Sequence, residues 1–205
     1  MLSRSKYPAI LFCVLGLGCG GGNTPAKSPD EIVPLDESSP AATRAGAEQP
    51  SGPEVAEAMK AIESKQYDRA KELLETAIQK NPKDSQAHYY MGVTLSSSGA
   101  DLALAAQSFE KAVTLDPKLI DAYVNLSALK LETKDAEGAL AAADKGLAIA
   151  KKQPDLALNR ALALEALGKK AEAVTAYADA VAARPEDCTL RVSYAQLLAQ
   201  SSKKP

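Results

Sequence analysis

From about residue 53 to residue 200, apolar and small residues recur at steps of three and four, and short polar turns cut this pattern into segments of helical length. The period predicts four first helices, over 54–64, 85–97, 119–132 and 155–167. Second helices are predicted over 68–80, 102–115, 136–151 and 171–183, and a last helix over 188–200. No strand alternation is sustained anywhere. The composition agrees: aromatics are 4% and there is no Trp, while Ala and Leu are abundant and Val and Ile sparse, a balance that favours helices over sheets. The fold class read from the pattern is all-α.

The helices come in pairs and the pairs repeat. Pro82, Pro117, Pro154 and Pro185 follow successive helical stretches, with spacings of 35, 37 and 31 residues. In the last interval Ala161, Leu164, Gly168, Ala173, Tyr177, Ala180 and Pro185 place a glycine at the turn between helices and small alanines where two helices cross. This arrangement resembles the tetratricopeptide repeat, a helix-turn-helix unit of about 34 residues. The preceding unit keeps Tyr123, Leu126, Ala139 and Pro154, with Ala143 in place of a large residue, Gly146 in place of alanine, and a second helix expected to run about three residues longer. The unit before has Met91, Gly92, Leu95, Gly99, Ala105, Phe109, Ala112 and Pro117, with one extra residue between Gly99 and Ala105, a cheap insertion. The first unit keeps Ala58, Ala70, Leu74, Ala77 and Pro82, but carries Glu54 and Glu57 at apolar places, as an end repeat without an upstream neighbour can. Thr189 to Gln200, with Leu190, Tyr194, Leu197 and Leu198, reads as a cap. The resemblance implies an α-solenoid of about four helix pairs plus a C-terminal capping helix over 53–200, with one continuous core because no pair buries its apolar face alone.

The first helices carry a second apolar stripe: Val55, Met59 and Ile62; Tyr89 and Val93; Val124, Ala128 and Leu131; Leu158 and Leu162. In the family that side lines a concave groove, so the resemblance implies a cradle for a peptide or helix of another protein; the alternative is that neighbouring helices cover much of the stripe. Asn125 and Asn159 take one place in successive repeats, and Tyr90 takes it one repeat earlier. The resemblance implies that an asparagine there bonds the backbone of a bound peptide, since its amide both donates and accepts; the alternative is a bond to a nearby helix end or water. Glu63, Glu132 and Glu165 stand near the edge of the stripe, which contains no lysine or arginine, so a clamp for a terminal carboxylate is not expected.

The N-terminus reads as an export signal over 1–18. Arg4 and Lys6 precede the apolar run Ala9 to Gly18, which is too short to span a bilayer. Leu15, Gly16, Leu17, Gly18 and Cys19 resemble the lipobox of bacterial lipoproteins, departing from it at Gly16, where that family usually has leucine. This resemblance implies lipidation of Cys19, and Gly20 in place of aspartate favours the outer membrane, facing the periplasm. Residues 19–52 hold Pro25, Pro29, Pro34, Pro40 and Pro50 without a sustained period and are expected to form a disordered tether with a reach of roughly 30 Å. A short disordered tail is expected over 201–205.

Charge and chemistry narrow the function. With 24 basic and 26 acidic residues and a net charge of -2, the chain has no nucleic-acid footprint. Gly16, Gly18 and Gly21 match the spacing of a dinucleotide-binding turn, but Gly22, Asn23, Thr24 and Pro25 follow instead of a helix that could receive a pyrophosphate. His88 is the single histidine, expected to be packed in the second repeat, and no catalytic, metal or cofactor motif occurs. Cys13 leaves with the signal and Cys19 takes lipid, so Cys188 is expected to have no internal sulfur partner and either to be partly buried or to pair with another protein. The expected function is a membrane-anchored interaction scaffold of the bacterial cell envelope that binds a peptide or helix, such as an assembly factor; the alternative is an envelope enzyme or enzyme subunit with an unrecognised site.

Overall fold

The computed structural model describes residues 52–99 and 101–202; the signal segment, Cys19, the tether up to Ser51 and residues 203–205 lie outside the described residues. Among the described residues there are nine helices and no strand. The first helices are α1 (Pro53–Glu63), α3 (Ser85–Ser98), α5 (Ile120–Glu132) and α7 (Pro154–Ala166). The second helices are α2 (Tyr67–Lys80), α4 (Leu102–Leu115), α6 (Ala136–Ile149) and α8 (Lys170–Ala183), and α9 (Cys188–Ser202) closes the chain.

The helix ends follow from local chemistry. Asp84 accepts from the amides of Gln86 and Ala87 to start α3, Asp101 accepts from Leu104 at α4, Asp135 accepts from Gly138 at α6, and Gln153 accepts from Leu156 at α7. Each carboxylate or amide oxygen satisfies a backbone donor that the first helical turn leaves open. At the other end of every first helix the chain reverses through one left-handed residue: Lys65 (φ 57°), Gly99 (φ 67°), Lys134 (φ 65°) and Gly168 (φ 73°). Only two of the four are glycines, the residue that adopts this conformation without a Cβ penalty.

Two expectations for the third repeat are corrected. Pro154 is not in the turn between repeats but is the first residue of α7, where a missing N–H costs nothing. Lys151 takes the place that Pro117 and Pro185 hold in their repeats, and the uneven proline spacing disappears. Helix α6 does not run longer; it has 14 residues, as α2, α4 and α8 do. At the C-terminus α9 runs to Ser202, into the segment expected to be a tail.

Each helix packs on the next in the chain, and α1, α3, α5 and α7 also approach one another, whereas no second helix approaches another among the described residues. The first helices therefore form the inner layer of an arc and the second helices its outer layer. The approach of α3 to α5 is the sparsest in the inner layer and that of α5 to α7 the closest, while α9 leans on α8 and not on α7. Helix pairs cross on small side chains: Ala58, Ala70, Ala105, Ser127, Ala139, Ala161 and Ala173 are fully buried. At Gly92 a Cβ would stand 2.7 Å from the ring of Phe109, itself 1% exposed, so the glycine is the room that the ring occupies. In the third repeat the volume that Ala143 and Gly146 leave is taken by Leu156 and Tyr123, with Leu156 Cδ1 2.5 Å from where a Cβ on Gly146 would be.

These observations set opposite expectations for two substitutions. Lys134→Gly relieves a left-handed lysine and should raise stability by about 1 kcal/mol. Gly92→Ala drives a methyl group into Phe109 and should lower it by about 1 to 3 kcal/mol. Urea melts of both variants check the pair.

Candidate functional site: the inner face of the first helices

The inner layer presents the second apolar stripe. Met59, Ile62, Tyr89, Val93, Val124, Asn125, Leu131, Leu158 and Leu162 are half-buried, and Ala128 is exposed. Nine side chains thus offer part of their surface to solvent while neighbouring helices hold the rest. Two of the predicted groove residues do not line it. Val55 is fully buried in one core cluster with Ala58, Leu74, Ala87 and Met91. Asn159 is 9% exposed and its Nδ2 donates to the Val124 carbonyl (3.2 Å) and the Ser127 hydroxyl (2.8 Å).

The close approach of α5 and α7 explains that change of role. The amide of Asn159 falls between the two helices and there satisfies groups that would be costly to bury alone. Its equivalent Asn125 faces the more open seam between α3 and α5, remains half-buried, and donates from Nδ2 to the Tyr89 hydroxyl at 3.1 Å. Both asparagines therefore tie successive first helices together. Tyr89 and Tyr90 meet edge to face with ring centroids 5.0 Å apart, and Tyr89 is 5.9 Å from Phe109, so the aromatic cluster anchors the inner face to the core. Burial, and then the negative charges of Asp121 and Glu63, raise the Tyr90 hydroxyl above the usual tyrosine pKa.

Acidic residues extend the stripe further than was read from the sequence. Besides Glu63, Glu132 and Glu165, Asp121 and Asp155 lie three residues before Val124 and Leu158 on the same helix side. Continuing the three- and four-residue steps by one position finds them. Asp155 pairs with Arg184, and Glu165 accepts from the Tyr177 hydroxyl at 2.8 Å.

Elsewhere the inventory is sparse. His88 is half-buried rather than packed in the core, with Nε2 3.1 Å from the Pro82 carbonyl oxygen, where it braces the turn before α3. Among the described residues no group of histidine, cysteine and carboxylate side chains could hold a metal ion, and no helix is long and apolar enough to cross a membrane. A shallow depression of about 320 Å³ beside α6, α7 and α8 is lined by Asp144, Lys151, Arg160 and Asp179, and Arg160 Nε already reaches Asp144 at 2.7 Å. Cys188 is half-buried at the start of α9, where Arg191 Nη2 donates to its Sγ at 3.4 Å; the other two cysteines lie outside the described residues.

An arc of helix pairs with an apolar inner face defines an α-solenoid built to hold another protein. The model of the tetratricopeptide repeat family matches residues 55–120 and 158–204, more than half of the chain, and the chain belongs to that family. Between the two matched stretches lies the third repeat, where Ala143, Gly146 and Lys151 depart from the pattern yet the helix pair still forms. Among solved structures, MamA from Desulfovibrio magneticus RS-1 is similar with a TM-score of 0.67 and 19% identity over 73% of this chain and 86% of that one. YrrB, described as a TPR protein with an unusual peptide-binding site, is similar with a TM-score of 0.66 and 16% identity over 74% of this chain and 78% of that one. The TPR domain of Arabidopsis OM64 is similar with a TM-score of 0.52 and 25% identity, over 55% of this chain and 93% of that domain. No curated protein matches in sequence.

The asparagine geometry predicts unequal costs. Asn159→Ala removes a buried bridge and should destabilise the fold by about 1 to 3 kcal/mol, whereas Asn125→Ala should cost about 1 kcal/mol or less. Comparing their thermal melts tests this, and equal costs would contradict the assignment.

Proposed function

We propose that this chain is a membrane-anchored scaffold that holds a peptide or helix of another envelope protein against the inner face of its first helices. The observation that carries this reading is the stripe itself: large apolar side chains on α1, α3, α5 and α7, held half-buried in fixed positions by the core behind them. A preformed apolar surface takes up partner side chains without first ordering itself, so little affinity is spent on rearrangement. The anchor is the lipid that the Leu15–Cys19 motif would place on Cys19, and the proline-rich tether gives the solenoid its reach from the outer membrane. In this reading anchor and tether set location, and the solenoid sets partner choice, as an assembly factor for an envelope complex requires.

Two experiments test the halves of the proposal separately. A labelled fatty acid fed to cells should appear on the full-length chain and be missing from Cys19→Ser; equal labelling of both rules out the anchor. Mass spectrometry of proteins co-purifying with the tagged full-length chain should show one enriched envelope protein that a folded Leu158→Glu variant loses, because the charge enters the apolar stripe. Retention of that protein by the variant would remove the inner face as the binding site.

A further inference from the structure

Acidic side chains keep step with the apolar ones along the inner face. Asp121 and Asp155 stand three residues before Val124 and Leu158, Glu165 stands three after Leu162, and Glu63 and Glu132 directly follow Ile62 and Leu131. The equivalent places on α3 hold Gln86, Ser96 and Ser97, and no lysine or arginine takes any of these places on the first helices among the described residues. Lys65, Lys83, Lys118 and Lys134 are exposed in the turns beyond the helix ends, Lys60 is exposed on α1, and Lys130 on α5 pairs with Glu110 and Asp135. Asp155 is offset by Arg184, and the Tyr177 hydroxyl bonds Glu165 without cancelling its charge. Burial first, and then the negative charges of Asp121 and Glu63, raise the Tyr90 hydroxyl above the usual tyrosine pKa. An apolar stripe edged by carboxylates repels acidic segments and favours partners that bring positive charge to the same edges.

Resting on the reading of the inner face as a docking surface, we propose that its occupant is a cationic amphipathic segment of another protein. Its apolar side chains sit on Val93, Val124, Leu158 and Leu162, and its lysines or arginines meet Glu63, Glu132 and Glu165. Attraction at solvent-exposed edges is screened by salt, whereas seating on the stripe is not, so the two contributions separate experimentally.

The test uses the full-length chain in a non-ionic detergent and two labelled synthetic amphipathic helices of about 18 residues, with leucine on one face and either lysine or glutamate on the other. Fluorescence anisotropy should show the lysine peptide binding at least about tenfold more tightly than its glutamate twin. Raising salt from about 50 to about 300 mM should weaken it by about tenfold. The variant Glu63→Gln/Glu132→Gln/Glu165→Gln should lose about as much, and Leu158→Gln should weaken binding at both salt concentrations, with circular dichroism confirming that each variant folds. Equal binding of both peptides, lost in Leu158→Gln, overturns the cationic occupant and leaves the docking surface standing. Tight binding of the lysine peptide that ignores the triple variant also overturns it, since the attraction then lies elsewhere on the surface. Binding of neither peptide overturns the docking surface together with its occupant.

Discussion

The structure depends on how closely the two helices of each repeat can approach. Ala58, Gly92, Ser127 and Ala161 on the first helices stand in register with Ala70, Ala105, Ala139 and Ala173 on the second, and nothing larger than a hydroxymethyl group occupies any of these places. Two helices touching through such residues come nearer than leucine or phenylalanine would permit, and the crossing angle follows from the shallow groove that results. The large side chains are displaced to the borders of the crossing, where Leu74, Phe109 and Tyr177 fill one place in the first, second and fourth repeats and are 0%, 1% and 2% exposed. In the third repeat Ala143 leaves that place small, and the deficit is met from the flanking first helices by Tyr123 and by Leu156, which is fully buried. Conservation of volume, not of residue identity, keeps the third pair in the stack.

The same constraint generates the inner face. Across each repeat boundary a first helix packs on the preceding second helix and also approaches the preceding first helix, whereas no second helix approaches another among the described residues. Crowding half-covers Tyr89, Val93, Val124, Leu158 and Leu162, fixing their side chains without burying them completely. A surface of this kind has lost most of its rotamer freedom before any partner arrives. The hydrogen bonds of Asn125 and Asn159 reinforce the effect by joining neighbouring first helices through side chains that the stripe does not need for its apolar surface.

Much of this was legible in the sequence because helical periodicity and small residues at fixed spacing are strong local signals. Gly168 announced its turn, as did Gly99. Lys65 and Lys134 did not, since nothing in a lysine advertises a left-handed conformation; only register with the two glycines reveals it. Pro154 misled because a proline can stand either in a turn or at the first position of a helix, and the choice depends on Gln153 capping α7. Val55 and Asn159 carried the same periodic signature as their exposed equivalents. Their burial is set by the distance between successive first helices, which is a property of the stack and not of any one segment. The acids Asp121 and Asp155 were within reach of the pattern and needed only one further helical step.

The unequal spacing of the inner layer decides where its polar groups go. Where α5 meets α7 the closer approach closes over an amide, and Asn159 is committed to holding Val124 and Ser127; where α3 meets α5 the approaches are fewer and the bond between Asn125 and Tyr89 stays half-buried. The core behind that seam does not open with it, since Leu126 and Leu129 of α5 and Ala142 of α6 share one buried cluster with Val55, Leu74, Met91 and Phe109. One polar side chain, repeated at a single helical position, is thus a rivet in one seam and a surface fitting in the next.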